Sequence, residues 1–207
     1  FLMRKGIVAF GGMIGGLILL LVAFMGPWYV INGSGTLGME YTVDFYLTRM
    51  EAKGSFNGQD ISWSVEYSEA KENAETIGVN TQSFTVIDTA RILALFAITV
   101  ALVSLIGFVG FVYRLGTLRI MKYLAGIFGI LTCALALIPV VYIMTTGFSE
   151  NSSEFWFSEK VLGVTITGGP GYAWYLMIVV SIIALICAVA ILAKKENAED
   201  AVVSIDD

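Results

Sequence analysis

Four long runs of apolar residues divide the chain. They cover residues 6–30, 92–113, 123–144 and 172–193, and none of them contains Asp, Glu, Lys or Arg. A helix of about 20 apolar residues crosses the hydrocarbon core of a bilayer. The first run is longer than the apolar region of a cleaved signal peptide and lacks a clear Ala-x-Ala site, so we interpret it as a span too. The pattern therefore predicts four transmembrane helices with both termini on one side.

The stretch between the first two runs alternates apolar and polar residues, as half-buried strands do. Residues 41–47 place every second residue, from Tyr41 to Leu47, on one apolar face. Residues 52–56 and 61–67 flank Asn57-Gly58, a pair that favours a tight turn, and therefore predict a hairpin. The polar residues 68–80 follow, and they predict a short helix or a loop lying over the sheet.

The stretch between the last two runs carries one more alternating segment. Leu162, Val164 and Ile166 alternate with small and polar residues, which predicts an edge strand of the same sheet. The sequence Gly-Gly-Pro-Gly at 168–171 is expected to end that strand. We therefore predict a membrane α-helical fold over residues 1–207, built as a single domain: a four-transmembrane-helix bundle with a small antiparallel exterior β-sheet.

The composition agrees with a membrane protein and narrows its chemistry. Of the 207 residues, 57% are hydrophobic and 14% are charged, well below the roughly one quarter that is typical of soluble domains. The chain contains no histidine, so it lacks an imidazole general base and a histidine ligand for metals. Its two cysteines, Cys133 and Cys187, lie in predicted helices, where small buried residues are the plainer interpretation. We expect no enzymatic activity, no cofactor and no metal ion.

Charged residues predict which side of the membrane each loop occupies. The basic residues near the ends of the spans all fall on the side of the termini: Arg4, Lys5, Arg114, Arg119, Lys122, Lys194 and Lys195. By the positive-inside rule this side is cytoplasmic, which predicts a multi-pass protein of the cell membrane with a cytoplasmic tail at 194–207. The loops 31–90 and 145–171 are then exterior, and they hold nine acidic against three basic and three acidic against one basic residues.

Two Asn-x-Ser triplets fall in these predicted exterior loops, at Asn32 and Asn151. Such triplets are acceptors for N-glycosylation on the exterior side, although they also arise by chance. Asn32 lies close to the end of the first predicted span, where the membrane limits access to it. Their position agrees with the orientation that the basic residues predict.

The predicted order is one helix, a long β-rich loop, a helical hairpin, a short loop with one strand and a last helix. This order resembles the claudin superfamily, which includes the peripheral myelin proteins and the calcium-channel gamma subunits. Pro27-Trp28 after the first span and Arg91 at the start of the second are similar to claudin features as well. The Gly-Leu-Trp motif and the two cysteines of the claudin first loop are absent from this sequence. The resemblance implies the architecture and lateral or adhesive assembly, and it assigns no functional residue.

Three further features are candidates for contact and anchoring. The first run holds four closely spaced glycines that let a neighbouring helix approach, within the same chain or on another subunit: Gly11, Gly12, Gly15 and Gly16. Asp88 and Arg91 lie one helical turn apart and predict a structural ion pair. A third group of aromatic residues stands in a polar loop, either dipping into the membrane interface or anchoring a partner: Phe155, Trp156 and Phe157.

These observations favour assembly over catalysis. We predict a non-enzymatic accessory or structural subunit of a larger membrane or cell-surface assembly. Its expected partners are membrane lipid and other membrane-protein subunits or copies of itself, and no nucleic acid. The alternative is a channel-forming or channel-modulating subunit whose acidic exterior attracts cations. No charged residue lies in the middle of a predicted span, which argues against an ion-coupled transporter.

Overall fold

A computed structural model describes residues 2–35, 39–56, 58–76, 82–113, 118–146 and 155–193. These residues form five α-helices and six β-strands. The helices are α1 (Leu2–Met25), α2 (Tyr67–Thr76), α3 (Gln82–Val112), α4 (Leu118–Thr146) and α5 (Tyr172–Leu192). The strands are β1 (Tyr29–Gly35), β2 (Glu40–Phe45), β3 (Arg49–Phe56), β4 (Gln59–Glu66), β5 (Phe157–Val161) and β6 (Val164–Pro170).

Three of these helices are long and apolar enough to cross a membrane. Their apolar segments are Phe84–Val112, Arg119–Thr146 and Tyr172–Leu192. Helix α1 contributes the shorter apolar segment Phe10–Met25 to the part whose side chains are described. It packs against α5 and α3, while α4 packs against α3 and α5. The structure therefore shows a membrane-type helix bundle, and the count of four spans stays a prediction.

The helices begin and end at different residues from the predicted spans, for local reasons. Helix α1 ends at Met25 rather than residue 30, because Pro27 has no N–H for a helical hydrogen bond and disfavours helix in the residue before it. Helix α3 begins at Gln82, ten residues before the predicted start at residue 92. Its first turns pack on the core through Val86 and Ala90, so this helix continues beyond its most apolar part.

The strands form one antiparallel sheet in the order β4-β3-β2-β1-β6-β5. The expected hairpin is formed by β3 and β4, and the strand predicted at 41–47 corresponds to β2, which ends two residues earlier at Phe45. The sequence predicted β6 as an edge strand. It lies inside the sheet instead, because β5 pairs with its outer side. It also continues through Gly168 and Gly169 to Pro170 instead of stopping before them, since both glycines pair with β1.

Alternation along the paired strands gives the sheet one apolar face and one polar face. Residues in register across the sheet lie on the same face, as in the row formed by Phe157, Gly168, Ile31, Val43, Ala52 and Trp63. The next row on the opposite face is polar and contains Ser158, Thr167, Asn32, Thr42, Lys53 and Ser62. The apolar face therefore runs across all six strands.

One end of the helix bundle and part of this apolar face form a common core. Trp28 is 1% exposed there, and its indole N–H donates to the Ala23 carbonyl at 2.9 Å. The Tyr29 hydroxyl donates to the carbonyl of Phe155 at 3.0 Å, which joins β1 to the segment before β5. The Trp174 indole N–H donates to the Val140 carbonyl at 3.2 Å. The bond of Trp28 thus joins the residue before β1 to the last turn of α1, and the bond of Trp174 joins α5 to α4 beside it.

Candidate docking surface

The apolar face of the sheet is only partly covered by the helices. Its inner residues, such as Tyr29 and Phe45, pack on the core described above. Farther along the strands, Ile61 is 60% exposed and Trp63 is 49% exposed, both on β4. Isolated exposed apolar residues are common on proteins, whereas neighbouring ones on an apolar face mark an interaction site. The outer part of this face is therefore the candidate site.

A groove with a volume of about 310 Å³ lies on this part of the sheet. The residues that line it belong to β2, β3 and β4 and the residue before β2: Met39, Glu40, Tyr41, Val43, Ala52, Lys53, Gly54, Ser55, Ile61 and Trp63. We refer to it as the sheet groove. Its residues come from a single continuous stretch of the sheet, so the groove needs no contribution from the helices.

The sequence of β3 explains why this surface is concave. Ala52 pairs with Val43 on one side and Trp63 on the other, and Gly54 pairs with Tyr41 and Ile61. Small side chains in the middle strand thus lie between large ones on both flanking strands, which leaves a trough. A Cβ atom at Gly54 would lie 3.0 Å from the Glu40 carbonyl oxygen, so the floor is already closely packed.

The polar face behind the groove holds a cluster of charged side chains. Arg49 Nε lies 2.7 Å from Glu51 Oε1, and Lys53 Nζ lies 3.4 Å from Glu51 Oε2. The hydrogen bond from Arg49 is the main cause that lowers the pKa of Glu51. Asp44 pairs directly across from Glu51, and its burial is the main cause that raises its pKa. Two carboxylates in facing positions thus have opposite shifts.

These opposite shifts predict opposite effects of charge removal. Because its pKa is lower in the folded protein, ionised Glu51 stabilises the sheet at pH values above the pKa that it has in the unfolded chain. This stabilisation is lost as the pH falls through the pKa of the folded state. Glu51→Gln should therefore lower the melting temperature at neutral pH. The corresponding loss in the free energy of unfolding should be no more than about 1 kcal/mol. The raised pKa of Asp44 means that its ionisation disfavours the fold. Asp44→Asn should raise the melting temperature at neutral pH.

Thermal unfolding in detergent, followed by circular dichroism over a pH series, measures both variants. The two differences from the unchanged protein should shrink together as the pH falls below the range in which carboxylates ionise. Two variants that shift the melting temperature in the same direction at neutral pH would contradict this assignment.

The four glycines of α1 divide into two pairs with different surroundings. A Cβ atom at Gly12 would lie 3.1 Å from Cys187 Sγ, and one at Gly16 would lie 3.4 Å from Ile183 Cγ2, both on α5. A Cβ atom at Gly11 or Gly15 would meet no atom within 4 Å among the described residues. Gly12 and Gly16 thus serve packing within the chain. Contact with another subunit stays a prediction for Gly11 and Gly15.

The aromatic group before β5 is not a uniformly exposed patch. Phe155 is 9% exposed and packs against Tyr29 and Trp174, with ring centroids 5.3 and 5.8 Å away. Phe155 is therefore not exposed, as the sequence had suggested, because residues distant in sequence bury it. Phe157 is partly buried over Gly168, and Trp156 is 48% exposed. A partner role for the three residues stays a prediction, and Trp156 has the most exposed side chain of the three.

The remaining predicted residues lie as follows. Arg91 Nη2 lies 3.0 Å from Asp88 Oδ1, one turn earlier on α3, and both side chains are more than one-third exposed. Asn32 is exposed in the middle of the sheet, and its side-chain oxygen accepts a hydrogen bond from the Thr42 hydroxyl at 2.9 Å. Asn151 lies outside the described residues. Glycosylation of either asparagine stays a prediction.

The helix bundle holds a small internal cavity of about 30 Å³. It has room for one or two water molecules. Ser104 and Thr132 are among the residues that line it, but both hydroxyls already donate to backbone carbonyls, of Ala125 and Phe128. Among the described residues, no three side chains of the Cys, Asp or Glu type group as metal ligands would. This cavity offers no arrangement that points to chemistry.

Comparison with known proteins finds no family model that matches the chain and no curated protein that matches its sequence. The functional argument therefore rests on the sheet groove and on the membrane helices. The sequence drew attention to the aromatic group at 155–157 instead. The sequence did contain a signal for the groove. Ala52 and Gly54 are small residues in a segment that lies between two predicted strands with large apolar residues.

Proposed function

We propose that this protein is a non-enzymatic membrane subunit that joins a larger assembly through the groove on its β-sheet. The single observation that carries this proposal is the uncovered apolar face, where Ile61 and Trp63 are 60% and 49% exposed beside a preformed groove. Water contact with this surface costs free energy that a docked partner would recover. The helices serve to hold the sheet at the membrane.

The expected strength of this contact follows from the area involved. Full burial of one large apolar side chain stabilises by about 1.5–3 kcal/mol, so covering the exposed halves of Ile61 and Trp63 supplies roughly 2 kcal/mol. That is too little for tight binding between soluble proteins, which must also offset the loss of translational freedom. It suits partners that are held in the same membrane.

The finer features of this proposal come from the sequence. They are four spans, a claudin-like arrangement, a location in the cell membrane with cytoplasmic termini, and a sheet on the exterior side. The basic residues near the span ends and the acidic loops support that orientation. The structure of a single chain does not support the channel-forming alternative, because the cavity described between its helices has room for only one or two water molecules.

The test replaces groove residues with threonine, which keeps the strand but removes the apolar surface. Ile61→Thr with Trp63→Thr should weaken association of the full chain with its partner in lipid nanodiscs by roughly thirtyfold, the equivalent of about 2 kcal/mol, measured by single-molecule counting of labelled subunits. Ser62→Thr with Ser64→Thr, on the polar face of the same strand, is the matched control and should leave association unchanged.

A photo-crosslinking amino acid at position 61 identifies what covers the groove in native membranes. Crosslinks to protein support the proposal. Crosslinks to lipid alone, or groove variants that associate as well as the unchanged chain, would contradict it.

A further inference from the structure

A stripe of exposed residues runs along α5, which is long and apolar enough to cross a membrane. Its members recur every three or four residues, and each is between 44% and 63% exposed: Tyr172, Tyr175, Val179, Ile182, Ile186 and Val189. The opposite side of α5 packs in the core, as Met177 and Val180 do. In a helix that crosses a membrane, an apolar stripe of this kind faces lipid. Its two tyrosines lie in the first turn, at the end that joins the sheet.

Trp156 extends this pair of tyrosines from a different part of the chain. It lies directly before β5, and the centroid of its ring is 6.1 Å from that of Trp174, which in turn is 5.1 Å from that of Tyr175. Trp174 is buried, whereas Trp156 and Tyr175 are 48% and 49% exposed. The segment before β5 and the start of α5 therefore share one exposed aromatic surface. We refer to Trp156, Tyr172 and Tyr175 as the aromatic patch.

The residue types of the aromatic patch are those that prefer the boundary between hydrocarbon and lipid headgroups. Tryptophan and tyrosine combine a large apolar ring with one polar group, so one end of the side chain is apolar and the other can bond to water or headgroups. The indole N–H groups of Trp28 and Trp174 donate to backbone carbonyls. That of Trp156 has no hydrogen-bond partner among the described residues. It is therefore available to an oxygen atom of a lipid.

A second pair of exposed tyrosines lies at the other end of the helix bundle. Tyr113, directly after α3, is 69% exposed, and Tyr123, near the start of α4, is 49% exposed. The Val140 carbonyl, which accepts the hydrogen bond from Trp174, lies seventeen residues along α4 from Tyr123. At 1.5 Å per residue this separation is about 26 Å. It is close to the thickness of the hydrocarbon core, roughly 30 Å, so Trp156 lies at the level of one membrane boundary.

We propose that the aromatic patch binds the headgroup region of the bilayer, with Trp156 inserted between the lipid headgroups. The patch continues the lipid-facing stripe of α5, so the membrane already borders it. Trp156 belongs to the segment before β5 rather than to a helix, so this contact attaches the sheet itself to the bilayer surface and limits its tilt. The inference goes beyond the proposed function, because the sheet groove is lined by other residues, on β2, β3 and β4 and before β2.

Fluorescence quenching from within the bilayer tests this position, in a full-length chain with Cys133→Ala and Cys187→Ala. A fluorophore is attached at Trp156→Cys, and the protein is reconstituted in phosphatidylcholine vesicles with a nitroxide on the headgroup or at the end of the acyl chain. The headgroup nitroxide should cause a large loss of fluorescence and the deep nitroxide a smaller one. Trp63→Cys is the matched control, because Trp63 is 49% exposed, and neither nitroxide should quench its label. A Trp156→Cys label that the headgroup nitroxide does not quench, or quenches no more than the Trp63→Cys label, would overturn the inference.

Photo-crosslinking in native membranes separates this inference from the proposed function and needs no fluorophore. A photo-crosslinking amino acid at position 156 should capture lipid, whereas the same amino acid at position 61 should capture protein. Capture of protein alone at position 156 would make Trp156 a partner contact, which overturns the inference and leaves the proposed function intact. Capture of lipid alone at both positions would contradict the proposed function and support the inference.

Discussion

Replacing Gly171 with alanine is expected to destabilise the protein by about 3 kcal/mol or more, which is the upper part of the range for overpacking. Gly171 joins β6 to α5, and its N–H donates to the Trp28 carbonyl at 2.9 Å. A Cβ atom there would lie 2.7 Å from the Pro27 carbonyl carbon and closer still to its oxygen. These are backbone atoms, and the Pro27 carbonyl is also bonded to the N–H of Ala173.

The backbone conformation of Gly171 itself is ordinary, with φ −74° and ψ 170°. Alanine adopts these angles without strain, so the whole expected effect comes from the close approach. A loss of about 3 kcal/mol corresponds to a fall in melting temperature of roughly 10 °C for a chain of this size. Thermal unfolding in detergent measures it directly.

Two other glycines provide matched controls for this substitution. A Cβ atom at Gly169 would lie 3.2 Å from the ring of Trp156, a side chain that is half exposed and can move. A Cβ atom at Gly15 would meet no described atom within 4 Å, and alanine favours a helix over glycine by up to about 1 kcal/mol. Gly169→Ala should have a small effect, and Gly15→Ala should be neutral or stabilising. Equal melting temperatures for all three variants would contradict the prediction, because they would show that the backbone around Gly171 can move to accommodate a Cβ atom.

Replacing Trp28 with alanine is expected to destabilise the protein by about 3–5 kcal/mol, the range for the largest core truncations. Trp28 is 1% exposed and packs in the core where the sheet meets the helices. Its loss leaves a cavity and removes the hydrogen bond to the Ala23 carbonyl in the last turn of α1. The residues of this core come from α1, α3, α4 and α5 and from the sheet, so they cannot easily collapse into the space.

Trp63→Ala is the matched comparison, because it removes the same side chain from the groove, where 49% of it is exposed. It should change the melting temperature little while it weakens association in nanodiscs. Trp28→Ala should lower the melting temperature at every protein concentration. A large stability loss from Trp63→Ala would mean that this residue supports the sheet rather than a partner.

Of the strands that the sequence predicted, β2 and β4 have apolar residues that alternate without interruption, whereas β3 was predicted from the Asn57-Gly58 turn beside it. The apolar face of β4 was predicted correctly from Ile61, Trp63 and Val65. A shift of the alternation by one residue would have placed the opposite face towards the core. Strand β1 was not predicted, because Gly33 and Gly35 occupy positions on its apolar face. The ring of Tyr41 covers Gly33 from the neighbouring strand. This contact replaces the missing side chain of Gly33, but it depends on the pairing of the two strands. The sequence of β1 alone does not indicate it.

The boundaries of the helices were harder to predict than their existence. Hydropathy indicates the part of a helix that lipid surrounds, whereas α3 begins in polar sequence and is held there by packing. The burial of Phe155 could not be predicted from the sequence for a related reason. A phenylalanine in a polar loop looks exposed until Tyr29 and Trp174, each far away in sequence, are placed beside it.

The central position of β1 has a consequence for how the protein is made. Strand β2 can pair with β1, β3 with β2 and β4 with β3 as soon as the first third of the chain has left the ribosome. Its other edge must wait for β6, which follows more than 120 residues later, after α3 and α4. Until then a nascent chain exposes an open strand edge, a surface that molecular chaperones and stray β-strands both recognise. Closure of that edge by β6 therefore has to wait until α3 and α4 have been made, and it comes before α5 can complete the helix bundle.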